Sequence, residues 1–425
     1  YADHDFTVAK ATEVYANEYQ LGFPNEYAMR PASRGCKKAP VYERYAEKNA
    51  VFGAYYGWER PSWFAPEGME AKEQHSFRRG NWFEPVAAEC LNVQKNVGVL
   101  DLSPFTKFEI SGDGAHSWLE SISPNKIPTK AGAISLAHPL TKEGGVAWEF
   151  SVTLLEDGRY YLMGPAVAEL LIEDWLRQRL PQDGSVSMKN TTAEYGTLVL
   201  AGPNARKVLS KLTDSDLSNA AFPWFTGQEI EVAGVPLRAL RMNFVGELGW
   251  ELHHPIEHQL ALYDALMEAG QEFGIADFGM RAMDSMRLEK GYPMWGHDLT
   301  TEFSLLEANL AWFCKLDKGE FEGRDALATQ KAEGLEYSLA LLEVDATDVD
   351  ASVGMEPVYS DGQIVGQVTS GGYGYRVQKS LALAYIRNDA MELPLSVKIL
   401  GKEYAATVTS GCVYDPSSAC LKSDD

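Results

Sequence analysis

The chain has 425 residues, 38 of them Lys or Arg and 60 Asp or Glu, which leaves a formal net charge of -22 and a pI near 4.8. Such a polyanion is repelled by phosphate backbones and anionic lipid faces, which argues against nucleic-acid and membrane-surface binding. With 45% apolar and 23% charged residues the chain is expected to fold around a large core. No run approaches the roughly 18 apolar residues of a membrane span.

At roughly 100–200 residues per domain, two to four domains are expected. The opening YADHDFTVAK begins with Tyr and has no basic leader ahead of an apolar block, the pattern of a fragment, a processed product or one module of something longer. Residues 1–70 read as an arm: an amphipathic helix near Val8 to Tyr19, then a locally basic stretch whose Pro and Gly density predicts an extended linker. Its aromatics, Tyr55, Tyr56, Trp58, Trp63 and Phe64, are too many for a solvated linker and are expected to pack on the body or on a partner.

Residues 71–330 alternate in pattern. Helices are predicted at Glu84 to Lys95, at Gly114 to Ile122 with Asp113 as N-cap, and at Ala166 to Arg179 with Val167, Leu170, Leu171 and Trp175 on one face. Another runs from His258 to Phe273, where Leu262, Leu266, Ala269 and Phe273 repeat every three to four residues. TKFEIS, TLVLAG, QEIEVAGVPLRALRMNF and the stretch from Trp148 to Leu155 read as strands, which makes the class α+β. From Leu335 onward short strands follow one another through SDG, SGGYG and GKE turns. Residues 331–425 therefore predict an antiparallel β-barrel or sandwich, with a frayed SSACLKSDD tail.

The five cysteines, Cys36, Cys90, Cys314, Cys412 and Cys420, contain no CxxC and read as thiols of a reducing compartment. His253, His254 and His258 cluster in HHPIEH, but Pro255 breaks any helix joining them and no HExxH is present, so a polar turn is expected and no metal site. No GxSxG, GxGxxG or GxxxxGK[ST] sits on a strand-to-helix turn, which argues against a serine hydrolase, a dinucleotide site and a P-loop.

Two carboxylates carry chemistry. In FVGELGWEL, a strand end turns on Gly246 and presents Glu247 before a second turn at Gly249. A carboxylate so held can accept two parallel N–H bonds from an aminopyrimidine or guanidinium edge, and a solvated turn acid is the alternative. GGVAWEFSV places Glu149 between Trp148 and Phe150 in an apolar strand, where desolvation favours proton transfer; a strand glutamate facing water is the alternative.

The ordered set NVGVLDLSPFTKFEISGDGAHSWLESISPNKIP, GGVAWEFSV, FVGELGWEL, MRLEKGYPMWGHDLT, KLDKGEFEGRDAL and VGQVTSGGYGY resembles the folate-binding aminomethyltransferase fold. That fold is shared by glycine-cleavage T-proteins and the C-terminal halves of dimethylglycine and sarcosine dehydrogenases. The arm, with VAKATEVY and KNAVFGAYYGWERPSWF, is similar to the junction between flavin and folate halves in the dimethylglycine dehydrogenase branch.

The resemblance implies a three-domain ring, or cloverleaf, around a central tetrahydrofolate pocket. Within it Glu247 matches the pterin-reading glutamate, with Phe244 where Tyr is usual. Glu149 falls where T-proteins carry the aspartate of GGxxDDL, which manages protons as the folate nitrogen attacks the one-carbon unit. Ser151 matches a pterin-contacting Thr, Tyr292 a pocket aromatic, and Asp101 a family aspartate weighted toward structure. Met283 replaces the first arginine of ARDxxRLE, which favours the dehydrogenase branch over handling of a lipoyl-bound group.

The implied activity is capture of the iminium carbon from oxidative demethylation of an N-methyl amine, giving 5,10-methylenetetrahydrofolate. FAD would sit on a partner subunit or upstream module and not in this chain. The expected location is the cytoplasm, or the mitochondrial matrix in a eukaryote. One alternative is a free-standing tetrahydrofolate-dependent demethylase giving 5-methyltetrahydrofolate. Another, an iron-sulfur maintenance protein of the same fold, is disfavoured because KGEFEGRDAL has Glu320 and Phe321 where KGCYxGQE would carry its Cys.

Overall fold

The computed structural model describes residues 3–424, so Tyr1, Ala2 and Asp425 lie outside the described residues. Helix α1 (His4–Ala16) starts earlier than the hydrophobic pattern suggests because the Asp3 side chain caps it, accepting from the Phe6 amide at 2.7 Å. None of its residues is buried, so it has no apolar face to offer a core. Two short helices, α2 (Glu26–Met29) and α3 (Tyr42–Glu47), lead into a hairpin, β1 (Ala50–Tyr55) and β2 (Trp58–Phe64).

The hairpin corrects the expectation of an extended linker. Tyr56 and Gly57 have φ of 53° and 85°, the left-handed pair that a two-residue hairpin turn requires. Pro61 faces Phe52 where the register shifts, so its missing N–H falls at an irregularity of the ladder. Val41, Tyr45 and Trp63 are fully buried, and the Trp63 indole donates to Glu73 Oε2 at 3.1 Å. Trp63 and Phe64 of the arm pack on the chain's own body, while Tyr56 at the hairpin turn stays exposed.

From there the chain builds two sheets. It runs through α4 (Phe83–Lys95), β3 (Val97–Asp101), β4 (Thr106–Ser111), α5 (Ala115–Ser121), β5 (Ile134–Ala137), β6 (Phe150–Leu154), β7 (Tyr160–Gly164), α6 (Glu169–Gln178), β8 (Ser187–Asn190) and β9 (Tyr195–Ala201). It continues through α7 (Ala205–Leu209), β10 (Gly227–Val232), β11 (Val235–Leu240), β12 (Gly249–Pro255), α8 (Gln259–Gly270), β13 (Ile275–Asp277), α9 (Met280–Glu289) and α10 (Arg324–Glu333). One sheet has six strands in the order β10-β11-β12-β9-β3-β13, the other five in the order β5-β6-β7-β4-β8. Strands β3 and β4, neighbours in sequence, belong to different sheets, so the short link between them carries the chain across.

Alternation sorts the side chains of each sheet. Phe108, Ile110, Phe150, Val152 and Leu162 bury one face of the five-stranded sheet against α5 and α6. Leu198, Leu200, Trp250 and Leu252 bury one face of the six-stranded sheet against α7 and α8. The opposite faces meet and mix polar with apolar residues: Arg238 on β11 pairs with Glu109 on β4 at 2.6 Å, Tyr161 on β7 bonds His253 on β12 at 3.0 Å, and Val199 and Met163 share an apolar cluster.

Three local expectations change. The cap position of α5 is Gly114 and Asp113 makes no capping bond there. In α6 the buried positions are Ile172 and Leu176, while Leu170 and Leu171 are exposed, because the 3-10 turn Ala166–Ala168 rotates the helix that follows. HHPIEH is no polar turn: His253 and His254 lie on β12 and are both fully buried.

The C-terminal region is a closed barrel of β14 (Tyr337–Val344), β15 (Pro357–Ser360), β16 (Gln363–Gly374), β17 (Lys379–Arg387), β18 (Leu395–Ile399) and β19 (Lys402–Val408), in the order β14-β17-β16-β15-β18-β19. Closure removes the sheet edges and surrounds a core of Leu342, Val358, Val368, Ala384 and Val397. Strand β16 reaches α9, where Ser285 donates to the Tyr373 carbonyl at 2.8 Å. The tail is packed and not frayed: Leu421 is buried, and Asn219 donates to the Lys422 carbonyl at 2.7 Å.

Candidate functional site

The turn before β12 is shaped by its own residues. The Asn243 side chain accepts from the amides of Val245 and Gly246 at 3.1 and 3.0 Å and donates to the Glu247 carbonyl at 2.8 Å. Gly246 has φ of 79°, and a Cβ there would meet the Lys290 stem at 2.6 Å. Gly249 is no second turn. It opens β12, where a Cβ would lie 2.3 Å from the Leu200 carbonyl oxygen, so glycine is needed for close strand approach.

Glu247 is buried and already engaged. Its Oε1 accepts from Arg376 Nη1 at 2.8 Å and from the Tyr414 hydroxyl at 2.6 Å. Arg376 also pairs with Glu289 and donates to the carbonyls of Val245 and Met286 at 3.0 and 2.8 Å. Burial pushes the Glu247 carboxyl up, and Arg376 pulls it back down. Glu247 thus ties the turn to α9, the barrel end and the C-terminal segment, and Oε1 is not open to a second pair of donors.

Glu251 was not singled out from the sequence, although alternation along GWELHHP puts it on one face with His253. It is the carboxylate of β12 itself, whereas Glu247 lies in the turn before it. Its partner is His253 Nε2 at 3.3 Å, its side chain is 6% exposed, and burial pushes its carboxyl up to about 8. Val199, its register partner on β9, packs in the same apolar cluster as Met163, the register partner of Ser151 on β7. Glu251 and the buried Ser151 therefore share the space between the two sheets.

Phe244 stacks on Tyr292, with ring centroids 5.7 Å apart and planes at 27°. Arg287 places that tyrosine by donating to its carbonyl at 3.0 Å while pairing with Asp298 at 2.8 Å. Burial raises the Tyr292 hydroxyl to about 12, which keeps it neutral. A second pair, Trp148 on Trp295, has centroids 5.0 Å apart and planes at 29°, and the Trp295 indole donates to the Ala147 carbonyl at 2.9 Å.

Glu149 precedes β6 and does not lie in the strand, so it escapes the full desolvation expected of an apolar strand position; its side chain is 24% exposed. Its Oε1 lies 3.1 Å from Nε2 of the buried His138, whose ring packs on Phe313 with centroids 5.2 Å apart. His138 Nδ1 and the Trp148 indole N–H are buried with no hydrogen-bond partner among the described residues. Asp101 is spent on the fold: its Oδ1 accepts from the Ser103 amide at 3.0 Å, the Ser103 hydroxyl and Gln259 Nε2 at 2.8 Å.

A flat, donor-bearing heterocycle fits what these residues offer: stacked aromatics, a buried carboxylate with no cation paired to it, and orphaned polar atoms beside a carboxylate–imidazole pair. A separate cleft of about 100 Å³ between α4, α9 and β16 includes Arg79 and Arg281, but these are already paired with Asp350 and Glu73. Among the described residues no group of three or more His, Cys, Asp or Glu is placed to hold a metal ion, and no helix is long and apolar enough to cross a membrane.

Residues 41–318 match the GCVT N-terminal domain, and residues 338–415 match the glycine cleavage T-protein C-terminal barrel domain. The chain is 41% identical over 409 residues to mitochondrial dimethylglycine dehydrogenase of Homo sapiens, covering 95% of this chain and 46% of that protein. It is 33% identical over 468 residues to mitochondrial sarcosine dehydrogenase of Mus musculus, covering 97% of this chain and 50% of the other. The chain thus spans about half the length of these curated relatives. In structure it is similar to the glycine cleavage system aminomethyltransferase T from Bartonella henselae, with a TM-score of 0.76 and 23% identity over 90% of this chain and 99% of that one.

Proposed function

The chain belongs to the glycine cleavage T-protein family of aminomethyltransferases, and on that premise we propose that it transfers a one-carbon unit from an N-methyl amine to tetrahydrofolate. When bound, the folate supplies the nucleophilic nitrogens and leaves as 5,10-methylenetetrahydrofolate. The donor carbon is the iminium formed when a flavin module oxidises a substrate of the dimethylglycine or sarcosine type. The flavin would sit on a partner or upstream part of the protein, a reading supported by the relatives being named dehydrogenases and by their roughly double length.

Phe244 and Tyr292 offer faces for the pterin. We assign its N–H edge to Glu251 instead of Glu247, because Glu247 Oε1 is claimed by Arg376 and Tyr414 while Glu251 is within hydrogen-bonding distance of a neutral imidazole and, among the described residues, has Lys107 only beyond ion-pair distance. A carboxylate accepting two parallel N–H bonds in a dry site is a strong and specific contact. Glu149 receives the proton displaced from the attacking nitrogen and returns it to the departing amine, with His138 holding it in place. Enclosing both reactants replaces a bimolecular capture with an intramolecular one.

The carrying observation is the unclaimed buried carboxylate of Glu251 on the polar face between the sheets. Calorimetric titration of the chain with 5-formyltetrahydrofolate, a stable reduced folate, tests it. Glu251→Gln should weaken binding by about 10–150-fold, the scale of a hydrogen bond to a charged group. Glu247→Gln should act mainly on stability. Equal losses of affinity, or a loss confined to Glu247→Gln, would return the pterin contact to Glu247.

A further inference from the structure

The polar layer between the sheets contains more ionisable groups than pterin recognition needs. Lys107 on β4 is fully buried, yet its Nζ makes no ion pair within 4 Å among the described residues; it donates instead to the carbonyls of Ser103 and Phe105, both at 2.8 Å. Glu251 faces it across the layer and likewise has no cation paired to it. His253 bridges toward the hydroxyls: Nδ1 lies 3.0 Å from Tyr161 Oη and 3.1 Å from Thr197 Oγ1, and Nε2 lies 3.3 Å from Glu251 Oε2. With a hydroxyl of Tyr161 or Thr197 donating to Nδ1, the Nε2 proton is directed at Glu251, a tautomer assigned from the network.

We propose that filling this face with a ligand edge carrying two N–H donors expels one proton from Glu251, and that His253 is the positioning residue that aims the carboxylate at that edge. The inference rests on Glu251 being the pterin contact. A neutral carboxyl has one good acceptor oxygen and a hydroxyl oxygen that accepts only weakly, so it takes two parallel N–H bonds far less well than the ionised form. The proton leaves Glu251 for solvent as those bonds form.

The electrostatic setting agrees. Burial pushes Glu251 up to about 8 and Lys107 down to about 7, and holds His253 well below its usual range. The other charged groups facing the layer are mostly committed. Glu109 on β4 is neutralised by Arg238 and Arg159. Tyr161 on β7 and Tyr195 on β9 lie under the Arg238 guanidinium, with Tyr161 held neutral by burial. Asp101 at the end of β3 and Glu169 of α6 act on Lys107 from farther off. His254 points to the other face of β12 and is pushed down to about 4 by burial.

Titration calorimetry of the intact chain with 5-formyltetrahydrofolate at pH 6, where Lys107 is already charged and Glu251 neutral, in two buffers of different ionisation enthalpy, reads the proton directly. About one proton released per site is expected, with affinity rising about tenfold per pH unit between pH 5 and 6.5. Glu251→Gln should bind more weakly with no net proton and no pH slope. His253→Gln, which can still donate to Glu251, should retain affinity that His253→Leu loses. Equal heats in both buffers, with Glu251→Gln still weakening binding, would overturn the coupling and leave the pterin assignment standing. Unchanged affinity in folded Glu251→Gln would overturn both.

Discussion

Glu149 and Glu247 are both carboxylates, and their surroundings differ. Glu247 meets an arginine that also holds Glu289, so its charge is compensated and its position fixed. Glu149 meets an imidazole at 3.1 Å and remains partly open, which suits a group that must take and return a proton. Glu149→Gln keeps the shape and cannot exchange a proton. With a flavin-dependent demethylating partner supplying the donor, the variant should bind reduced folate normally and slow transfer by about 10²–10⁴-fold. A wild-type rate would leave Glu149 as a positioning group only.

At the scale of elements, the opening segment divides into a part that holds the fold and a part that does not. The hairpin β1–β2 buries Trp63, and Glu89 accepts from the Phe64 and Gly279 amides, both at 2.8 Å, which latches the hairpin to the start of α9. Trp63→Ala should therefore cost about 3–5 kcal/mol in urea unfolding, the usual toll of a cavity that size. Helix α1 contributes no buried residue and touches the body through contacts such as Glu13 with the Ala32 amide at 2.7 Å. Truncation through Gly22 should shift stability by under about 1 kcal/mol. A loss comparable with that of Trp63→Ala would mean that α1 is structural.

At the scale of the molecule, buried carboxyls set the pH response. Burial raises Glu89 from 4.5 to about 8. A raised folded value means that the folded chain holds a proton the unfolded chain has released, so this contribution is complete below pH 4.5 and fades as pH rises through 8. His254, pushed from 6.5 to about 4, works the other way, adding stability above pH 6.5 that is lost as pH falls through 4. Chemical denaturation between pH 6.5 and 8 lies outside the His254 window. There wild type should lose up to about 1.4 kcal/mol per pH unit relative to Glu89→Gln. Parallel curves would show that Glu89 ionises in the fold.

Element types and family were legible along the chain because they depend on local periodicity and on ordered motifs. Alternation marked β4, β6, β9 and the barrel strands, and the motif set from NVGVLDLS to VGQVTSGGYGY marked the T-protein fold. The arm misled because proline and glycine density reads as a linker when the residues that bury it, such as Glu89 and Gly279, come from α4 and the start of α9. Which carboxylate stands unclaimed was likewise a tertiary matter. Arg376 and Tyr414 reach Glu247 from 129 and 167 residues away, and no local pattern reports a partner that only the closed barrel and the packed tail bring within hydrogen-bonding distance.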